Sequence, residues 1–386
     1  MRVGMTPGMN IVAELADQAR ANRRLGLDTE FVSERRYRPL LCLVQIVVGD
    51  RIEILDPLAD LDASPLAEVL ADPSIEVVMH AGRQDVALLK RSWNTEVRNI
   101  FDTQVAAGFA GYGAQSGYDS LVRSLLGVSA QGAEGFSRWD RRPLTPEQIE
   151  YARADVEHLL PMTDALQQRL RESGRLEWAQ EECRALEAAS DERSPAEQFA
   201  RLPRVRRLSK RQRAVALTLV EWRQQLAREV DRPASSVLPD HVLVEAARRQ
   251  PEGRRALEEI RGMPAQTFQR WQRDLLAAVA RGREAPEAPD LPDIEAGDQG
   301  DAPLIALGQA LVRQRALEAK VAVDLVSTQS DIAAVVGALR RNNGEAEVRT
   351  LHGWRRELVG NELVKLLSGH CVVRVRDRRL MVEPGD

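Results

Sequence analysis

The sequence predicts an α/β domain followed by two mainly helical domains. Strand-like and helix-like segments alternate through roughly the first 160 residues. After about Glu147 the pattern is almost wholly helical, and an acidic, proline-rich stretch divides that helical part in two. At 386 residues, 44% of them apolar, the chain is long enough for two or three separate cores.

In the first region, Arg24–Phe31 (RLGLDTEF), Leu41–Val48 (LCLVQIVV), Arg51–Leu55 and Ile75–Met79 (IEVVM) read as strands. Gly49-Asp50 supplies a two-residue hairpin turn between the second and third. Helical patterns fall at Ile11–Asn22, Leu66–Ala71, Asp85–Arg91 and Pro146–Glu172. Such interleaving predicts a mixed sheet flanked by helices. Pro195 and Pro203 punctuate its end, so the expected domains are 1–195 and a helical domain over 204–284. Glu284–Asp301 holds three prolines and seven acids with no Lys or Arg. That composition cannot bury a core, so 285–301 is expected to be a solvated linker. A second, mostly helical domain should cover 302–386, ending in a hairpin where VVRVRDRRLMVE alternates over Val372–Glu383.

Several classes fall away. No run of about 18 apolar residues exists, so no membrane span is expected. The N-terminus, MRVGMTPGMNIVAEL, lacks the basic start and apolar core of a secretory signal. The three cysteines, Cys42, Cys183 and Cys371, are too scattered for a disulfide scaffold or a zinc cluster, which favours a reducing cytoplasm. The net charge of −4 gives no hint of a nucleic-acid partner. The chain has only four lysines against 50 arginines, a bias that fits either codon usage or phosphate gripping by the guanidinium fork.

The chemistry-bearing residues are acids. Asp28 and Glu30 stand two apart on a strand, which points both to one face. Two carboxylates on a buried strand repel each other and are costly to desolvate; a divalent cation or a salt bridge would relieve that. Asp85 opens a helix after the IEVVM strand and reads equally as a plain N-terminal acid. Tyr151 and Asp155, at i and i+4, share one helix face. Converging carboxylates from several elements are what two-metal phosphodiester hydrolysis requires, and hard oxygen ligands select Mg²⁺ or Mn²⁺ over zinc. His80, His158, His241, His352 and His370 are scattered and read as solvated or packing residues.

The segments LDTEF, MHAGRQDVALL, FDTQ and YARADVEHLLPM resemble the motifs of the DEDD superfamily of 3′→5′ exonucleases, in its tyrosine-bearing branch, and within it the ribonuclease D family. SRWDRRPLTPEQIEYARADV resembles that family's approach to its third motif. Leu208–Arg283 resembles its helicase-and-RNase-D C-terminal domain, and LHGWRRELVG its C-terminal part. The resemblance implies a ribonuclease H-like mixed sheet and two divalent ions, Mg²⁺ or Mn²⁺, on Asp28, Glu30, Asp85 and Asp155. It implies that Tyr151 orients or helps deprotonate the attacking water, and that Thr29 and Phe31 touch the terminal nucleotide. The implied activity is a 3′→5′ exoribonuclease releasing 5′-mononucleotides from structured RNA precursors such as tRNA, as a cytoplasmic monomer. A DNA exonuclease with the same site and a catalytically inactive nucleic-acid-binding protein are the alternatives.

Where the family often carries a lysine, this chain reads AQGAEGF before Ser137, and Arg138, Arg141 and Arg142 are the candidates to replace it. Arg201–Arg213 (RLPRVRRLSKRQR) holds seven basic residues and no acid. Such a run is either a plain solvated face or an RNA path to the cleft; on the second reading Arg204, Arg206 and Arg207 are the expected phosphate contacts, with Arg355 and Arg356 secondary. Aromatic residues make up only 4% of the chain, too few for a long base-stacking platform.

Overall fold

β1 (Arg24–Val32), with Leu25, Gly26 and Leu27 all buried, is the middle strand of a five-stranded sheet. The computed structural model describes residues 9–128, 138–287, 300–341 and 344–385. β2 (Leu40–Val48) pairs antiparallel with β1, and β3 (Arg51–Leu55) antiparallel with β2 across the expected Gly49-Asp50 turn. β4 (Glu76–Met79) and β5 (Ile100–Asp102) extend the other side in parallel, giving the order β3-β2-β1-β4-β5.

The two faces of β1 are covered differently. Leu25 and Leu27 point into a core with α1 (Met9–Asn22), α2 (Ser64–Ala71) and α3 (Arg83–Trp93). Gly26, Asp28 and Glu30 point the other way. On that face the helix expected over Pro146–Glu172 is two helices, α6 (Pro146–Glu157) and α7 (Leu159–Glu172). Pro161 explains the break: it has no N–H to give residue 157, and its ring clashes with that carbonyl. α7 packs close on β1: a Cβ on Gly26 would sit 3.3 Å from Leu159 Cβ, and also 2.7 Å from Cγ1 of Val47, its partner on β2. Between β5 and α6 come α4 (Thr103–Phe109) and α5 (Tyr118–Leu126), two short helices that the sequence pattern did not reveal.

α8 (Leu176–Arg184) and α9 (Pro195–Ala200) lead into the first helical domain. There α10 (Lys210–Glu229), α11 (Ala234–Val237), α12 (Asp240–Arg249), α13 (Arg254–Glu258) and α14 (Ala265–Glu284) enclose Leu219, Leu243, Leu257 and Leu275. Tyr37 packs on that core, and Asp231 accepts from Arg36 at 3.0 Å and from the Tyr37 backbone N–H at 3.2 Å.

The last domain contains α15 (Asp301–Glu318), α16 (Val323–Val326), α17 (Gln329–Arg341), α18 (Gly353–Arg355), α19 (Asn361–Leu367) and the expected hairpin, β6 (Cys371–Arg376) with β7 (Arg379–Pro384). Most of the acidic stretch, 288–299, lies outside the described residues. Asp301, read as its last residue, instead opens α15, buried and paired with Arg340 at 2.9 Å. Leu311, Ile332, Trp354 and Leu363 share one core with Phe109, Leu166 and Leu170, so this domain braces α4 and α7 from behind. Arg355, a candidate RNA contact by sequence, belongs to that brace. It is buried, donates to Leu325 O at 2.7 Å and pairs with Glu182. Among the described residues, no helix is long and apolar enough to cross a membrane.

Arg142 is likewise structural rather than a replacement for the family's lysine. Its guanidinium grips Asp56 with two 2.6 Å bonds and donates to Cys42 O at 2.9 Å and Trp139 O at 2.7 Å. It thus ties the end of β3 and the start of β2 to the segment entering α6. Breaking a largely buried pair strands its partner charge, so Arg142→Ala should destabilise the fold by on the order of 2–3 kcal/mol. Arg142→Lys, which cannot make the fork, should recover less than half. Urea unfolding measures both; an alanine variant as stable as wild type refutes the role.

Candidate active site

The period of a strand and the period of a helix meet at one point. β1 presents Asp28 and Glu30 on one face, and α6 presents Tyr151 and Asp155 one turn apart. Ligating oxygens of Asp28, Glu30 and Asp155 lie within 4.8 Å of one another. With Tyr151, His80, Tyr118 and Leu159 they line a cavity of about 150 Å³. α6 is placed by its first turn: Thr145 and Gln148 form a reciprocal capping box, with Pro146 at the first helical position.

Asp85 approaches from the opposite side of β1. It is buried on the first turn of α3 and accepts a hydrogen bond from Thr29 Oγ1, whose side chain points away from Asp28 and Glu30. It therefore stands next to the three-acid cluster rather than in it.

The electrostatics follow from burial without compensation. Burial raises the Asp28 carboxyl well above the usual range, and the charges of Asp85, Asp155 and Glu30 raise it further. Glu30 is pushed up to about 8 by burial, then by Asp155 and Asp85. Asp155 is pushed up to about 7 by burial and then by Asp119, and Asp85 to about 6, chiefly by burial. Among the described residues, no lysine or arginine pairs with Asp28, Glu30 or Asp155. The Tyr151 phenol is pushed upward by burial and by Asp155, Glu30 and Asp28, so it stays protonated. Its ring leans on Trp139, 5.9 Å between centroids.

Two wall residues escaped the sequence reading. Tyr118 OH accepts the His158 backbone N–H at 3.0 Å, at the junction between α6 and α7. His80, read as a solvated or packing residue, stands edge-on to Tyr118 at 5.7 Å and meets Thr103 Oγ1 at 2.9 Å. Its place just past β4 was the available signal, since sites in α/β sheets gather at the carboxyl ends of parallel strands. The Asp102 carboxylate fixes that turn, accepting from the N–H groups of Ala81, Gly82, Gln104 and Val105 at 2.8–3.2 Å.

The remaining candidates lie outside the cavity wall. Phe31 follows a bulge in β1 and packs on the core under α2 and α3. Arg138 pairs with Asp140 at 3.2 Å. Arg204 is exposed with φ +60°, Arg207 is exposed and Arg206 half-buried. None of these three has a side-chain ion pair among the described residues.

A family model described as 3′-5′ exonuclease matches residues 9–171, and one for the HRDC domain matches residues 212–279. Ribonuclease D of Granulibacter bethesdensis is 35% identical over 375 residues, covering 96% of this chain and 93% of the relative. Ribonuclease D of Escherichia coli is 32% identical, covering 92% and 96%. The crystal structure of Escherichia coli RNase D, an exoribonuclease involved in structured RNA processing, superposes with a TM-score of 0.85 at 29% identity, covering 96% of this chain and all of that one.

The raised carboxyls set a pH dependence. Each holds its proton more tightly folded than unfolded, so folding takes up protons between the ordinary carboxyl range and about pH 8, where Glu30 titrates. The stability of the metal-free protein should therefore fall as pH rises through that interval, opposite to a salt-bridged carboxylate. His80, pushed below its ordinary 6.5 by burial, opposes the trend at lower pH, so pH 6.5–8 is the clean window. Thermal unfolding in chelator should show a midpoint that drops across it, less steeply in Asp155→Asn. A midpoint that climbs with pH there contradicts the buried-acid description.

Proposed function

The chain belongs to the ribonuclease D family, and from that premise we propose that it trims the 3′ ends of structured RNA precursors, tRNA precursors foremost, in the cytoplasm and as a monomer. It is an enzyme, a 3′→5′ exoribonuclease. The observation that carries the mechanistic reading is the half-buried trio of Asp28, Glu30 and Asp155, with which no lysine or arginine pairs among the described residues.

That trio fits divalent ions. It offers hard oxygen donors, and no His or Cys ligand joins it among the described residues, which suits Mg²⁺ or Mn²⁺ rather than zinc. Two such ions held by these acids, with Asp85 proposed as a further ligand beside them, would supply charge compensation and a water acidic enough to attack a phosphodiester. Tyr151 is assigned to hold that water in line through its hydroxyl. A phenol this reluctant to ionise is a poor general base. The nucleotide contact proposed for Thr29 falls to its backbone, because its hydroxyl is engaged with Asp85; Phe31 would offer an apolar edge beside it. Arg138, Arg204, Arg206 and Arg207 are proposed to grip phosphates.

Tyr151→Phe should lower the single-turnover rate by on the order of 10²-fold with little change in Mn²⁺ affinity or folding. Asp155→Asn should abolish turnover while RNA binding persists. Either variant at the wild-type rate on a 3′-labelled RNA would remove that residue from the mechanism. The triple change of Arg204, Arg206 and Arg207 to Ala should leave kcat intact, raise KM and flatten the salt dependence of binding by about two to three ions. An unchanged salt slope would place the RNA elsewhere.

A further inference from the structure

Gln45 lies in the middle of β2, in the otherwise apolar run LLCLVQIVV, with no exposed surface. Neither Nε2 nor Oε1 of its amide has a hydrogen-bond partner among the described residues. Native cores rarely retain an amide with donor and acceptor both unmade, and an apolar side chain of the same length would fill the space without that penalty. Its place in the ladder suggests why it is there. Gln45 is the direct cross-strand partner of Asp28 on one side and of Ile54 on the other. Antiparallel partners share a face, with Cβ atoms about 5 Å apart. The amide is therefore beside Asp28 on the catalytic face of the sheet, within a side chain's reach of its carboxylate.

We propose that Gln45 is a positioning residue for Asp28, its Nε2–H holding one carboxylate oxygen while the other is turned to a divalent ion. The proposal rests on the reading of Asp28 as a metal ligand. Carboxylates that bind metals are themselves held by hydrogen bonds, and losing such a partner weakens metal affinity by about 10–100-fold. β1 and β2 are rigid neighbours in a five-stranded sheet, so a donor on β2 fixes the orientation of Asp28 without crossing the cavity that the RNA end must enter. The buried amide also explains a polar residue in a strand whose other side chains are all apolar: its partner is the ionised form of Asp28, which the ion favours.

The test is Gln45→Met, which keeps length and removes both polar groups. Mn²⁺ affinity by titration calorimetry, the metal-free unfolding midpoint and the single-turnover rate are measured for Gln45→Met, Asp28→Asn and wild type. Gln45→Met should melt at or above the wild-type midpoint without metal, yet bind Mn²⁺ at least about 10-fold more weakly. Its rate should recover toward wild type at saturating Mn²⁺. A purely structural glutamine would not separate stability from affinity in this way. Mn²⁺ affinity within about twofold of wild type, whatever the midpoint does, overturns the proposal and leaves Gln45 as a core residue. If Gln45→Met fails to fold, Gln45→Asn, one methylene short of Asp28, should show the same loss of affinity, and wild-type affinity there overturns the proposal equally. The underlying reading fails separately: Asp28→Asn binding Mn²⁺ like wild type would bring down the ligand assignment itself.

Discussion

Three carboxylates forced into one small half-buried space repel one another, and much of the exonuclease domain is arranged to keep them there. β1 cannot relax the clash by turning Asp28 or Glu30 away, because its alternate residues Leu25 and Leu27 are locked into the core beneath. α6 cannot back off with Asp155 either. Its entry is tied to the sheet by Arg142 on Asp56, Cys42 and Trp139, its first turn is closed by the Thr145–Gln148 box, and its end is caught where Tyr118 takes the His158 N–H. Gly26 leaves room for α7 to pack tightly on β1, where a Cβ would stand 3.3 Å from Leu159 Cβ. These contacts hold a repulsive arrangement that only a cation can turn attractive, and raised carboxyl pKa values are the expected mark of such a site.

The helical domains relate to this centre in different ways. The last one shares a core with α4 and α7 and is bolted by Arg355 to Glu182, so it stiffens the rear of the cleft. The first is joined through Tyr37, Arg36 and Asp231, a contact close to the end of β1. Its basic turn leaves Arg204 and Arg207 exposed. A rigid catalytic centre with an arginine-bearing module beside it suits a substrate held by its phosphates and cut at its end.

How much of this was legible depends on the range of the signal. Asp28 with Glu30, and Tyr151 with Asp155, are pairs whose geometry follows from local periodicity, so the sequence shows them directly. The mixed sheet and the terminal hairpin are equally local. β5, α4 and α5 were hidden because they are short and α4 is buried on most sides, which erases the amphipathic pattern. The break between α6 and α7 was written in Pro161 but overridden by continuous helical periodicity. Arg142 and Arg355 illustrate the limit of composition. In a chain with 50 arginines, fork-shaped grips on Asp56 and Glu182 look the same in sequence as grips on phosphate. Thr29's bond to Asp85 depends on how α3 packs on the sheet, and Gln45's place beside Asp28 on strand register, neither of which a single segment encodes.

The central claim is that Asp28, Glu30 and Asp155 converge in order to hold divalent metal. Anomalous diffraction from crystals of the wild-type protein equilibrated with Mn²⁺ tests it most directly. Manganese peaks are expected about 2.2 Å from carboxylate oxygens of these three acids, in the range for such ions on oxygen ligands. A cluster without anomalous density at saturating Mn²⁺, or manganese bound only elsewhere on the molecule, would contradict it.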